Sequence, residues 1–397
     1  MENNLYLKEV TLSGYKSINN VNIEFQKGLN IIIGKNAAGK TNFLEFLNKI
    51  LSLKYDDLSN FSSNLIFKNE KEISFKTQKN IKIEFDKINN LPYKVDSTLT
   101  IDEKKFESNE QTSLFKELRK KGIDYYNTFL CHGIPKEYPI IDKPLTFRIE
   151  NKYGLSSDLA NLFLEPSTPY FIKCLTIDIA SKLIDIEEVF NIENIRKSFQ
   201  SVFENTIEIR DILNQYSPIE DFRFSENFNV FITDDKEGFT LNNLFIEFKI
   251  DSNWLPFSNL SDGTKRLFYI LSEVYENDSN VNKRPIDEEF YFEESKSSRI
   301  ILIEEPELGI HPHQFHKLMG FLKEESQRKQ IIITTHSPQA LDSIDNNEFN
   351  RIIIAYTANY KEGTKLRHLN EEELIKANAY IQEEFLSDYW LYSDLEK

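Results

Sequence analysis

The sequence has little of what secreted and membrane proteins need. Its 397 residues contain two cysteines, Cys131 and Cys174, which are too few for a disulfide framework and suit a reducing compartment. No apolar run approaches the ~20 residues of a membrane-spanning helix. Residues 1–4 have neither the basic start nor the apolar stretch of a signal peptide. We therefore expect a cytoplasmic protein that does not associate with a membrane.

Positive charge is also scarce. The chain has 48 Lys and Arg residues against 64 Asp and Glu residues, a formal net charge of -16. This balance argues against a surface that binds nucleic acid non-specifically, although it leaves room for a local basic groove. One candidate is the cluster between Lys116 and Lys121, but cations there also suit the last turn of a helix that ends at Gly122. Nucleic acid is therefore a possible partner that the net charge does not indicate.

The stretch from Gly34 to Thr41 completes the pattern G-x-x-x-x-G-K-[ST]. A buried strand is predicted before it, at residues 28–33, and an amphipathic helix after it. Such a loop points several backbone N–H groups and the positive end of a helix dipole at one place. The pattern predicts a nucleoside triphosphate site, in which Lys40 reaches the β- and γ-phosphates and Thr41 ligates Mg²⁺. The predicted binding residues of this loop are Gly34, Asn36, Ala38, Gly39, Lys40, Thr41 and Asn42.

A second motif, at residues 299–307, is an apolar strand that ends in paired carboxylates. Behind a phosphate loop, this arrangement places one acid beside the Mg²⁺ and the next beside the attacking water. We expect Glu304 to be an outer magnesium ligand and Glu305 to orient or deprotonate the water. Without the phosphate loop, the same residues would read equally well as an acidic surface turn.

Two further motifs are short. Ser261 and Gly263 lie at a predicted helix N-terminus, which can bind an anion or can be an ordinary helix cap. His336 follows a β-branched run, where a lone histidine is more often structural.

Taken together, the four motifs resemble those of the ABC-type ATPases of the SMC, RecF and OLD group. The matching segments are GKNAAGKTN at 34–42, LSDGTKR at 260–266, ILIEEPELGIHPH at 301–313 and TTHSP at 334–338. The resemblance covers residues 1 to about 55 and about 225 to 356. It implies an α/β P-loop ABC-type ATPase head, with a mixed sheet, a parallel sheet and helices, interrupted by a mostly helical insertion.

The resemblance also implies roles. ATP with Mg²⁺ would lie between two heads of a homodimer or higher homo-oligomer, with Ser261 and Gly263 contacting the γ-phosphate on the opposite subunit, assisted by Lys265. The catalytic residues would be Glu305, His336 as the sensor of the γ-phosphate, and Lys40. Residues 307–311 would cross the dimer interface.

Three departures from the family pattern are visible. Ala37 and Ala38 replace the usual Gly-Ser pair, and Glu304 replaces the more usual Asp. The lid glutamine is not located, since Gln78 and Gln111 are both candidates. None of these departures indicates an inactive ATPase.

The predicted organisation has four parts. Residues 1–55 and 225–360 form the two halves of the head, 56–224 form a β-rich lobe followed by the helical insertion, and 361–397 form an acidic, aromatic tail. We predict strands at 6–12, 21–25, 80–85, 228–232 and 244–250, mostly helix from 113 to 203, a loop at 276–298, and parallel strands at 299–303, 330–334 and 351–356. The tail is interpreted as a closing helix in preference to a docking site.

Three functions fit this organisation. The leading hypothesis is an ATP-hydrolysing head that regulates a separate effector, a nuclease or toxin, because about forty residues after the last strand leave no room for a nuclease domain. It resembles the ATPase subunits of bacterial two-gene anti-phage defence systems. The alternatives are a RecF- or SMC-like DNA maintenance ATPase and a nucleotide-gated scaffold.

Overall fold

The computed structural model divides the chain into two units, which are described separately. The first comprises Met1–Gly133, Glu294–Leu308 and Phe315–Lys397, and the second comprises Ile134–Glu293 and Gly309–Gln314. The described residues are 5–52, 54, 57–69, 72–80, 96–101, 104–107, 128–131, 145–151, 154–155, 191–202, 207–234, 238–275, 300–357, 359, 361–382 and 384–393.

The first unit is built on a central sheet of six strands. These are β3 (Leu29–Ile33), β8 (Thr128–Cys131), β16 (Ile300–Glu304), β17 (Gln330–Thr335), β18 (Ile352–Thr357) and β19 (Thr364–His368), in the order β19-β18-β3-β17-β16-β8. All neighbours pair in parallel except β18 and β19. Strands β3 and β17 are buried along their whole length, as expected for a parallel sheet covered on both faces. The predicted parallel sheet is confirmed.

This topology places three motifs at one edge of the sheet. The phosphate loop follows β3, the paired glutamates end β16, and His336 follows β17. These strands are consecutive neighbours in the order β3-β17-β16, and the carboxyl ends of parallel strands meet at the same edge.

A second sheet of the first unit is antiparallel. Its strands are β1 (Tyr6–Ser13), β2 (Val21–Glu24), β4 (Phe61–Lys68), β5 (Glu72–Asn80), β6 (Asp96–Ile101) and β7 (Lys104–Glu107), in the order β2-β1-β4-β5-β6-β7. Helix α1 (Lys40–Leu51) shares one apolar core with both sheets. Its Phe46 ring lies 5.1 Å from that of Tyr15 and 5.9 Å from that of Phe61. These contacts pack the second turn of α1, which follows the phosphate loop, against the antiparallel sheet and the turn at Tyr15.

The second unit contains two antiparallel sheets. One has β9 (Leu145–Asn151), β10 (Gly154–Leu155), β12 (Asn229–Ile232) and β13 (Phe239–Leu244), and the other has β11 (Asp221–Phe224), β14 (Ile246–Ile250) and β15 (Asn253–Pro256). Helices α2 (Ile192–Val202), α3 (Ile207–Tyr216) and α4 (Asp262–Val274) belong to the same unit. The Phe268 ring of α4 packs 4.9 Å from Phe248 and 5.8 Å from Phe257, which fixes the start of α4.

Three further α-helices are α5 (Pro312–Glu325), α6 (Glu371–Tyr380) and α7 (Leu386–Tyr392), and short 3-10 helices lie at Phe257–Asn259, Pro338–Ser343 and Phe349–Arg351. Trp390 of α7 is buried, and the amide of Ser387 donates to Asp342 Oδ1 at 2.9 Å, so α7 closes onto the first unit as the tail interpretation predicted. Among the described helices, none combines the length and apolar character that a bilayer span requires.

The helical prediction for residues 113–203 is wrong at two places. Residues 128–131 form β8 because they pair in register with β16, a tertiary contact that local periodicity does not report. Residues 145–151 form β9, where the alternation Leu-Thr-Phe-Arg-Ile-Glu already favoured a strand and was missed. The helical part is confirmed at 192–202. Residues 81–85, 108–127, 132–144, 152–153, 156–190, 203 and 276–299 lie outside the described residues, so the predictions made for them stay predictions.

Candidate functional site

The phosphate loop turns into α1 without a side-chain cap. Gly39 is the N-cap residue, with φ 88° in the left-handed region, and as a glycine it has no side chain that could cap the helix. The first N–H groups of a helix have no intrahelical acceptor. These amides, with the dipole behind them, suit an anion at this position.

Two glycines of the loop have no space for a side chain. A Cβ atom on Gly34 would come within 2.2 Å of the Ala355 carbonyl oxygen in β18. On Gly39 it would come within 1.8 Å of Thr364 Oγ1 and 2.9 Å of Ser17 Oγ. The tight turn therefore depends on the absence of side chains at both positions.

A hydroxyl pair supports this turn. Ser17 Oγ and Thr364 Oγ1 are 2.7 Å apart, and Asn42 Nδ2 donates to Ser17 Oγ at 2.8 Å. The backbone N–H of Thr364 also donates to the Ser17 carbonyl at 2.9 Å. Asn42 was predicted as a binding residue, and the structure gives its amide this internal partner. Sequence reasoning missed Ser17 and Thr364, which carry no local signal and are 347 positions apart.

Lys40 lies inside the curve of the loop. Its side chain is buried, and Nζ donates to the carbonyls of Gly34 at 2.6 Å and Lys35 at 3.0 Å. A buried cation and the uncapped amides of the helix start thus lie in one turn, and Thr41 is exposed at the start of α1. These residues fit the phosphates of a nucleoside triphosphate, with Thr41 placed to contribute to a Mg²⁺ site.

The paired glutamates differ in their backbone. Glu304 is the last residue of β16 and is half-buried. Glu305 has φ 46°, in the left-handed region that a non-glycine side chain enters at a cost of ~1–3 kcal/mol. Such strain concentrates where a side chain must be aimed for function. The positive φ distinguishes Glu305 from Glu304, which keeps the extended backbone of β16.

His336 lies between carboxylates. Its Nδ1 is 3.2 Å from Glu307 Oε1 and 3.5 Å from Glu305 Oε1, and the side chain is 42% exposed. Glu307 Oε1 also accepts from Thr335 Oγ1 at 2.6 Å and from the His336 amide at 3.0 Å. Glu307 therefore joins the motif of the paired glutamates to the motif that contains His336. The sequence analysis placed Glu307 only in a loop at the dimer interface.

Ser261, Gly263 and Lys265 belong to the second unit. Ser261 is the N-cap of α4: its Oγ accepts from the Thr264 amide at 3.2 Å and lies 2.8 Å from Thr264 Oγ1. A Cβ atom on Gly263 would come within 2.1 Å of the Gly309 carbonyl oxygen. Lys265 Nζ donates to the Ser258 carbonyl at 3.2 Å. The helix-cap reading is thus correct, and any role toward a partner's nucleotide is additional to it.

A family model described as "AAA domain, putative AbiEii toxin, Type IV TA system" matches residues 29–342. The chain belongs to this family. The match spans the phosphate loop, the paired glutamates, the segment around Ser261 and His336, so all four motifs fall within the AAA domain.

Individual relatives of this AAA-domain protein are more distant. Endonuclease GajA of Bacillus cereus (strain VD045) is 24% identical over 373 residues, 86% of this chain and 57% of that protein. DNA replication and repair protein RecF of Streptococcus suis (strain 05ZYH33) is 37% identical over 70 residues, 18% of this chain and 19% of that protein. Chromosome partition protein Smc of Fusobacterium nucleatum is 24% identical over 237 residues, 58% of this chain and 20% of that protein. The AAA-domain chain therefore spans only part of each relative's length.

Solved structures agree on the fold. The Smc head domain with an extended coiled coil bound to the C-terminal domain of ScpA, derived from Pyrococcus furiosus, matches with a TM-score of 0.54 at 16% identity, covering 96% of this chain and 100% of that one. The SmcHead bound to the C-winged helix domain of ScpA matches with a TM-score of 0.51 at 15% identity, covering 94% and 99%. The predicted SMC/RecF/OLD-like ABC-type ATPase and its α/β P-loop fold are confirmed.

Proposed function

We propose that this protein hydrolyses ATP at the edge of the central sheet and uses the ATP cycle to control an effector protein, a nuclease or toxin. The observation that carries the proposal is the convergence of the phosphate loop, Glu304–Glu305 and His336 on the carboxyl ends of neighbouring parallel strands. Phosphoryl transfer to water needs a phosphate cradle, a metal ligand, a group that orients the water and a group that senses the γ-phosphate.

The residues divide this work as follows. The backbone of the phosphate loop and Lys40 hold the β- and γ-phosphates, and Thr41 with Glu304 hold Mg²⁺, which supplies charge neutralisation at the phosphates when bound. Glu305, whose backbone is in the left-handed region, orients the attacking water. His336, held beside Glu305 and Glu307, contacts the γ-phosphate.

A second copy of the chain completes the site. In this proposal Ser261, Gly263 and Lys265 of one protomer contact the γ-phosphate bound to the other. Ser261 and Lys265 have exposed surface at the start of α4, where helix amides suit an anion. ATP would therefore close a homodimer or higher homo-oligomer, and hydrolysis would loosen it.

The class of effector is proposed from the comparisons. The relative that aligns over 86% of this chain is an endonuclease, and the family description names a toxin. Both point to an ATPase that controls a damaging activity, as in anti-phage defence.

The Glu305→Gln protein, purified from its own host with ATP and Mg²⁺, tests this proposal by native mass spectrometry. We expect a nucleotide-loaded dimer or larger ring that carries a stoichiometric second protein, because removing the water-orienting group preserves the closed state. Lys40→Ala, treated identically, is the matched control and should yield a monomer without nucleotide. A Glu305→Gln protein that binds ATP yet stays monomeric and unaccompanied would contradict the proposal.

A second candidate function is a DNA maintenance ATPase, which the similarity to RecF and Smc favours. It predicts ATPase stimulation by duplex DNA or DNA ends, with affinity that falls steeply as salt rises. The net charge of -16 weighs against it. Absence of DNA binding at low salt would remove this candidate, whereas a Glu305→Gln dimer that holds only nucleotide and nucleic acid would favour it.

A further inference from the structure

Glu307 makes an unusual set of contacts for a residue of a surface turn. A single oxygen, Oε1, accepts from Thr335 Oγ1 at 2.6 Å, from the His336 amide at 3.0 Å and from the Ser337 amide at 3.3 Å. The same oxygen lies 3.2 Å from His336 Nδ1. The turn that follows β17 is thus closed by a side chain from the loop that follows β16.

These contacts fix the position of His336. Charge-assisted hydrogen bonds from backbone N–H groups to a carboxylate are about twice as strong as neutral ones. Thr335 Oγ1 additionally accepts from the Ser337 amide at 2.9 Å, so the turn has a small internal network centred on Glu307. The His336 side chain is 42% exposed, and Glu307 Oε1 contacts its ring at Nδ1 as well as its backbone amide.

Glu307 is also joined to the other acid of the site. It lies two residues after Glu305, in a turn closed by the Leu308 amide donating to the Glu305 carbonyl at 3.0 Å. Its Oε2 atom is buried and, within the described residues, has no hydrogen-bond partner. A turn needed only for stability would not require a buried carboxylate with an unpaired oxygen, because such an oxygen loses its water without compensation.

From this geometry we infer that Glu307 is a positioning residue for ATP hydrolysis: it holds His336 in register with Glu305, so the two loops act as one unit. The inference rests on the proposed function, since it assumes that Glu305 and His336 act on the γ-phosphate. Glu307 contacts neither nucleotide nor water in this account, and it acts through His336.

The test is a double-mutant cycle between Glu307 and His336, measured as kcat and as ATP affinity. Glu307→Ala should lower kcat about tenfold or more, because the three donors lose their acceptor and His336 is released. ATP affinity should change less than about threefold, since the phosphate loop is untouched. The double variant Glu307→Ala/His336→Ala should be no slower than His336→Ala alone. Glu307→Gln keeps Oε1 as an acceptor and should recover most of the lost rate.

Glu373→Ala is the matched control for loss of stability. Glu373 belongs to the same unit, and its carboxylate is buried to a similar extent. It also accepts a hydrogen bond from a backbone amide, that of Asn370 at 2.8 Å, but it lies on α6 and not in the loops that carry Glu305 and His336. It should alter thermal unfolding without altering kcat per folded molecule. Additive effects of Glu307→Ala and His336→Ala, or a loss confined to ATP affinity, would overturn the inference. Unchanged turnover in His336→Ala would instead contradict the proposed function, so the two failures are distinguishable.

Discussion

The backbone amide of Glu305 donates to the carbonyl oxygen of Thr334 at 2.7 Å. This bond continues the β16–β17 ladder by one residue beyond Glu304, the last residue of β16. It ties the proposed water-orienting acid to the strand that leads into His336. The backbone of Glu305 is thus held by the sheet at the point where the chain turns with φ 46°.

Because the backbone of Glu305 is strained, we expect its replacement by a residue that tolerates this conformation to stabilise the protein and to abolish its activity. Asparagine tolerates the left-handed region better than glutamate does. Glu305→Asn should therefore raise the free energy of unfolding by about 1 kcal/mol while abolishing ATP hydrolysis. Chemical denaturation and phosphate release measure the two effects. Glu304→Asn, at an ordinary strand position, is the control and should gain no stability.

Gly39 should tolerate no side chain. With φ 88° and Thr364 Oγ1 at 1.8 Å from a Cβ atom, Gly39→Ala must displace the turn, so ATP binding should be lost and the protein destabilised. Gly320→Ala is the control, because a Cβ atom there meets nothing within 4 Å and alanine favours α5 by up to ~1 kcal/mol. Titration with a fluorescent ATP analogue and thermal unfolding compare them. Wild-type affinity in Gly39→Ala would refute the close packing of the loop on β19.

The hydroxyl pair behind the loop predicts a selective loss of affinity. Thr364→Val keeps the volume of a buried residue but removes one of the two hydrogen-bond partners of Ser17 Oγ, at a cost of ~1 kcal/mol. Since the pair supports the turn, we expect ATP to bind several-fold more weakly. Thr364→Ser should restore binding, because it restores the hydroxyl. Equal affinities in all three proteins would show that the turn is held without the pair.

Asp342 predicts a dependence of stability on pH. Burial raises the pKa of this carboxyl above its ordinary value of 3.8, partly opposed by hydrogen bonds from Ser387. A raised folded-state pKa means that the folded protein binds the proton more tightly, so this contribution to stability is present at low pH and is lost as pH rises through the folded pKa. Asp342→Asn keeps the acceptor for the Ser387 amide and removes the charge.

Asp342→Asn should therefore be more thermostable than the wild type at pH 7, with the difference shrinking toward pH 4 and below. Thermal unfolding across that range measures the effect. A difference that grows as the pH falls would contradict the sign of the shift.

Sequence reasoning recovered the chemistry that lies in contiguous motifs. The phosphate loop, the paired glutamates and His336 each stand at the end of an apolar strand, where the pattern and the fold rule agree. It failed where a role depends on distant contacts. Strand β8 forms because it pairs with β16. Thr364 supports the phosphate loop because its hydroxyl contacts Ser17 Oγ and occupies the space beside Gly39 that a Cβ atom would need. The sequence motif includes Glu307, but only the structure shows that its carboxylate accepts hydrogen bonds from the loop that carries His336.

The most direct measurement of the central claim is phosphate release by the wild-type protein and by Glu305→Gln, paired with ATP affinity for each. The account predicts slow hydrolysis by the wild type, a loss of about 100-fold or more in Glu305→Gln, and nearly equal ATP affinities. Lys40→Ala should fail to bind ATP at all. Hydrolysis by Glu305→Gln at the wild-type rate, with ATP bound, would contradict the claim that this sheet edge is the site of catalysis.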